Sequence, residues 1–147
     1  MQIVIGSDHA GLRLKAELHA YLEELGHSIH DVGTHTADSC DYPEFGAAVA
    51  NTVADGAASW GLLICGTGIG MCMSANKVAG IRAAVVSDTF SARMTRLHND
   101  ANILCLGERV VGGGLAREIV DAWLSAEFEG GRHQRRINKI HDIEGRA

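Results

Sequence analysis

A cysteine followed at once by a glycine-rich loop carries the most chemical content in this sequence: Cys65 precedes Gly66-Thr67-Gly68-Ile69-Gly70. A thiol titrates near about 8.5, and neighbouring dipoles can lower it enough to give a thiolate that acts as base or nucleophile. Glycine lets a ligand approach the backbone closely, and N–H groups gathered where a helix begins suit a phosphate or a developing oxyanion. Taken alone, the loop reads equally as a tight turn or an anion site. Cys65 alone reads as a small buried hydrophobe, and its place as the last strand residue before such a loop turns the reading toward chemistry. Cys105, inside the apolar run NILCLG, is assigned to the core.

Other polar groups stand at similar junctions. Asp8-His9 is either a helix cap or a carboxylate and imidazole reaching into a site. His98-Asn99-Asp100 falls between a helical and a strand-like segment, where a cap or turn is the plain alternative. Arg132 and Arg136 share a face if residues 131–142 are helical, as a phosphate clamp or a solvated surface. His27, His30 and His35 lack thiolate partners at metal-ligand spacing, so no metal is expected. The loop spacing GxGxG departs from the dinucleotide fingerprint GxGxxG, although Asp88 does end the following strand.

The elements that must position these groups alternate. Strands are predicted at 2–7, 27–32, 60–66, 82–87 and 102–107. Helices are predicted at 12–25, 44–56, 71–80, 88–99 and 114–128, with a terminal one from about 131 into the 140s. WGLLICG (60–66) is a continuous apolar run, as expected of a strand buried on both faces. This alternation predicts an α/β three-layer αβα sandwich around a five-stranded parallel sheet, flavodoxin- or Rossmann-like, with a C-terminal helix. One domain over 1–147 is expected. In the simplest order, 2-1-3-4-5, strands 1 and 3 flank the switch point where ligands bind. Asp8-His9 and Cys65 with its loop then lie side by side.

Composition narrows the function further. A formal charge of -5 opposes a general nucleic-acid binder, the one basic cluster being GGRHQRRINKIH. No signal peptide is read at Met1-QIVIG, and no apolar run approaches the roughly 20 residues that span a bilayer. The four cysteines form no CxxC pair and no disulfide framework, which points to the cytoplasm.

Taken together, IGSDHAG (5–11), DYPEF (41–45), ICGTGIGMCMSANK (64–77), RAA (82–84), RLHNDANILCLGER (96–109) and GGRHQRRINKI (130–140) resemble the ribose-5-phosphate isomerase B family. That family includes galactose- and allose-6-phosphate isomerases, and the likeness is collinear from residue 3 to about 140. The resemblance implies cofactor-free aldose–ketose isomerisation of ribose 5-phosphate and ribulose 5-phosphate. It implies a homodimer or tetramer whose sites are shared between subunits. By likeness, Cys65 matches the base that moves a proton between C1 and C2. Thr67 and the amides of Gly66, Gly68, Ile69 and Gly70 match groups that assist it and hold the enediolate oxygen. His98 matches the residue that helps open the furanose ring, with Asp8 and His9 near the hydroxyls. Asn99 matches a substrate contact and Tyr42 a lining residue, while Arg109, Arg132 and Arg136 match phosphate-binding positions. Members often carry Ser or Ala around Cys72 and Met73, so this chain has a bulkier helix there and an extra thiol. Two alternatives remain: isomerisation of another sugar phosphate, or a non-catalytic phosphosugar- or nucleotide-binding module.

Overall fold

The computed structural model describes residues 1–145. Five strands form one parallel sheet: β1 (Gln2–Ser7), β2 (Ser28–Asp31), β3 (Trp60–Cys65), β4 (Ala83–Val85) and β5 (Ile103–Gly107). Between and after them run α1 (Leu12–Glu24), α2 (Tyr42–Ala54), α3 (Ile69–Ala75), α4 (Thr89–Asn99), α5 (Gly113–Leu124) and α6 (Arg132–Glu144). The expected three-layer fold and C-terminal helix are borne out. Helix α2 starts two residues earlier than periodicity places it, because Pro43 has no N–H to lose in a first turn and carries a helical φ. No helix among the described residues is long and apolar enough to cross a membrane.

Side-chain alternation divides the core. Ile3, Ile5, Leu62, Ile64, Leu104 and Leu106 face one way, onto Leu14, Leu18, Ile119 and Trp123 of α1 and α5. Val4, Leu63, Cys65, Ile103 and Cys105 face the other way, onto Val49 of α2 and Met71 of α3. Cys105 is fully buried, as its flanking leucines imply.

The strand order is β2-β1-β3-β5-β4, which corrects the simple order 2-1-3-4-5. Burial explains the exchange. Every residue of β5 is buried, so it belongs in the middle of the sheet with a neighbour on each side. Strand β4 has only three residues, none fully buried, and it suits an edge. The outer side of β4 is occupied by a side chain: Asn76 Oδ1 accepts from Ala83 N and Asn76 Nδ2 donates to Ala83 O, both at 2.9 Å.

The exchange matters for chemistry. With β5 beside β3, Gly107 pairs with Cys65, and the chain leaving β5 runs past the cysteine loop. Glu108 N donates to Cys65 O at 2.9 Å and Arg109 N to Gly66 O at 3.1 Å. Asp88, after β4, is removed to the far edge, which takes away the residue that kept a dinucleotide reading open.

Candidate active site

The sheet's switch point lies between β1 and β3, whose connections leave in opposite directions, and a cleft of about 490 Å³ opens there. Cys65 forms its floor, 5% exposed, at the last position of β3. The loop then folds back on it, and Gly68 N donates to Cys65 Sγ at 3.1 Å. That return requires the left-handed conformation at Gly68, with φ +79°, where a Cβ would also meet Leu106 and Val85 at 2.9 Å. Thr67 Oγ1 accepts from Ile69 N at 3.4 Å and lines the cleft with Gly66 and Ile69. At Gly70 a Cβ would stand 2.6 Å from the Tyr42 ring, so the absence of a side chain lets the first turn of α3 lie against that ring.

The end of β1 supplies the opposite wall. Asp8, 6% exposed, accepts from Ala10 N at 2.9 Å through Oδ1 and so caps the single 3₁₀ turn His9–Gly11. The capping carboxylate also lines the cleft. His9 Nδ1 accepts from Cys40 N at 3.2 Å, which places the imidazole proton on Nε2. Cys40 is a contributor that sequence reasoning missed; it reaches His9 from a loop without periodicity, and nothing in the spacing signals it. Arg109, exposed, extends along the cleft beside Gly66 and has no ion-pair partner among the described residues. Met73, 64% exposed, forms an apolar wall that the sequence singled out only as bulk.

Four of the expected residues are elsewhere. His98, Asn99, Arg132 and Arg136 do not line the Cys65 cleft; they belong to the end of α4 and the start of α6. His98 stacks on His133, ring centroids 4.3 Å apart and planes within 5°. Glu129 Oε2 lies 3.4 Å from His133 Nε2 and 3.8 Å from His98 Nε2. Arg132 Nε donates to His133 Nε2 at 3.3 Å. Burial, then the charges of His98 and Arg132, hold the His133 imidazole below its ordinary range. Arg136 follows one turn after Arg132 on the exposed side of α6. Asn99 is exposed at the end of α4. His133 and Glu129 escaped sequence reasoning because their importance comes from stacking and contact across distant segments.

The end of α4 is firmly fixed. Asp100 takes a left-handed conformation, φ 46°, and its carboxylate receives Arg96 Nη1 at 2.6 Å and Arg82 Nη2 at 3.0 Å. The Arg96 guanidinium lies 4.0 Å from the Trp60 ring centroid.

His98, Glu129 and His133 have ligating atoms within 4.8 Å of one another, the one such group among the described residues. Arg132 donating into His133, with Arg136 a turn away, makes this corner better suited to an anion than to a cation.

The ribose/galactose isomerase family matches residues 3–140. The chain belongs to that family. The expectation of an aldose–ketose isomerase is thereby borne out. Among family relatives, the ribose-5-phosphate isomerase B of Escherichia coli is 51% identical over 99% of this chain and 97% of its own length. The D-erythrulose-4-phosphate isomerase of Pectobacterium atrosepticum is 45% identical over 95% of this chain and 93% of its own. The solved ribose-5-phosphate isomerase B of Clostridium thermocellum superposes with a TM-score of 0.99 at 55% identity, covering 99% of both chains.

Proposed function

We propose that this isomerase interconverts ribose 5-phosphate and ribulose 5-phosphate in sites completed by a second copy of the chain. The observation that carries the reading is the Gly68 N–H on Cys65 Sγ at the floor of a cleft walled by Asp8, His9 and Arg109. A base, oxyanion donors and a cation for the phosphate stand together, which is the equipment for moving a proton next to a carbonyl.

In this reading His98 of a second copy assists opening of the furanose ring. The Cys65 thiolate takes the C2 proton of the open aldose, and the electron pair moves to the carbonyl oxygen at C1. The amides of Gly66, Gly68, Ile69 and Gly70 face that enediolate, and the Thr67 hydroxyl relays a proton between the two oxygens. Cys65 returns its proton to C1, giving the ketose. Asp8 and His9 hold sugar hydroxyls, Tyr42 lines the site and Asn99 adds a contact from across the interface. The phosphate is bound by Arg109, with Arg132 and Arg136 from the second copy.

Support for the second copy comes from the rim of the cleft. Ile69, Met73, Val85 and Val110 are between 41% and 64% exposed there, an apolar patch of the kind that marks an interface. The free thiols fit a cytoplasmic enzyme.

Two measurements test the reading. Mixing Cys65→Ala and His98→Asn chains by unfolding and refolding together should restore about a quarter of wild-type turnover, since half the dimers are mixed and each holds one intact site. No recovery would remove the shared site. Turnover of ribose 5-phosphate should exceed that of allose 6-phosphate and erythrulose 4-phosphate; a reversed order would reassign the substrate, and tight binding without turnover would favour the binding module.

A further inference from the structure

Helix α1 begins without a capping side chain of its own: Gly11 stands at its N-cap and offers nothing to the free N–H groups of the first turn. An acceptor arrives from 94 residues away, where Glu108 Oε2 receives Leu14 N at 2.9 Å. The other carboxylate oxygen, Oε1, accepts from Arg13 Nε at 3.3 Å. Glu108 is 18% exposed and Arg13 85% exposed, so the ion pair lies in water while the contact with Leu14 is sheltered. An exposed pair of that kind contributes little. A carboxylate on the first-turn amides gains both the hydrogen bond and the positive end of the helix dipole.

This cap joins two walls of the cleft. Helix α1 follows directly on the 3₁₀ turn His9–Gly11, and Asp8 and His9 line one side of the cleft. The turn meets the end of β3 through bare backbone, since a Cβ at Gly11 would stand 2.6 Å from the Ile64 carbonyl. On the other side, Glu108 N donates to Cys65 O at 2.9 Å and Arg109 N to Gly66 O at 3.1 Å. The Arg109 side chain then passes Gly66 along the cleft. Residue 108 therefore holds Cys65 by its backbone and α1 by its side chain.

We propose that Glu108 is a positioning residue of the isomerase: by capping α1 it fixes the span between the Asp8–His9 wall and the wall formed by Cys65 and Arg109. The same contact protects the cation of the site. Glu108 adjoins Arg109 in the chain, and a free carboxylate there would compete with a phosphate for the guanidinium. Taken up by Leu14 N and Arg13, the carboxylate makes no ion pair with Arg109 among the described residues. Arg109 is thereby kept for the substrate.

Removing the cap loosens one wall without touching the base. Cys65 Sγ keeps Gly68 N, and Cys65 O keeps Glu108 N, because neither contact uses the Glu108 side chain. What is lost is the placement of Asp8 and His9 relative to Arg109. Groups that hold hydroxyls and phosphate alike in the ground and transition states act on KM rather than on kcat. This kinetic signature rests on the reading of Asp8, His9 and Arg109 as substrate contacts.

The test measures kcat and KM for ribose 5-phosphate in the full chain and its variants. Glu108→Ala should raise KM about tenfold, as a misplaced wall would, with kcat little changed. Glu108→Gln keeps an acceptor for Leu14 N and should restore a near-wild-type KM. Arg13→Ala should change neither constant, because the exposed ion pair is not the working contact. An unchanged KM in Glu108→Ala, even with a lowered Tm, would reduce Glu108 to a structural role and overturn the proposal. So would a KM in Glu108→Gln as high as in Glu108→Ala, or an equal rise in Arg13→Ala. Should Glu108→Ala fail to fold, Glu108→Asp, one methylene short of Leu14 N, takes its place with the same expected rise. Arg109→Ala separates the two readings. An unchanged KM there fails the substrate-contact reading and the proposal with it, whereas a raised KM beside an unchanged one in Glu108→Ala fails the proposal alone.

Discussion

Around Cys65 the polar groups are held by backbone, whereas around His98 they are held by other side chains. Gly68 N fixes the sulfur, Ala10 N the Asp8 carboxylate and Cys40 N the His9 ring, while Arg109 is anchored through its own N–H. At the other corner His98 leans on His133, His133 on Arg132, and Glu129 lies beside both imidazoles. Backbone donors are set by the fold and leave little freedom, as suits the role of base proposed for Cys65. Side-chain partners on a helix end keep more freedom to settle, as suits the phosphate- and ring-binding roles proposed for this corner.

Four substitutions probe that contrast, from the largest effect to the smallest. Cys65→Ala should lower kcat by about 10³-fold, within the range for a lost general base, with an unchanged circular dichroism spectrum; wild-type-like turnover would remove the thiol from the proton transfer. Gly70→Ala drives a Cβ into the Tyr42 ring, and kcat should fall about 10²-fold from misplacement of the loop. A neutral result there would show that the backbone-held side tolerates movement after all. Arg136→Ala should raise KM about 10- to 100-fold, the worth of a charge-assisted hydrogen bond, with kcat little changed; the opposite split would move Arg136 from grip to chemistry.

The smallest effect is on stability. Burial holds the folded His133 imidazole below its ordinary value, so the unfolded chain binds that proton more readily. Stability from this site is therefore present above about pH 6.5 and is lost as pH falls below it. The charged or titratable groups facing His133 are His98, Glu129, Arg132 and Arg136. His133→Asn should flatten the fall in Tm between neutral and mildly acidic pH, and an unchanged slope would place the sensitivity elsewhere.

Much of the Cys65 side was legible in the sequence because its parts are local. A strand, a cysteine and a glycine loop are contiguous, and the doubly wound topology brings the end of β1 beside them. Periodicity identifies strands but not their neighbours, so the exchange of β4 and β5 was not legible. The placement of Arg109 beside Gly66 depends on that exchange. The contact of Cys40 with His9 and the stacking of His98 on His133 join distant segments through single atoms and rings, and no spacing encodes them. The separation of His98, Asn99, Arg132 and Arg136 from Cys65 is visible only in three dimensions.

The paired hydrogen bonds between Asn76 and Ala83 have a further consequence for assembly. An edge strand with free N–H and C=O groups invites another chain to extend the sheet. Here one amide side chain takes up both the donor and the acceptor of Ala83, on a strand of three residues. Growth of the sheet past β4 is thereby blocked at the strand's first residue, which leaves little free backbone along this edge for endless strand addition.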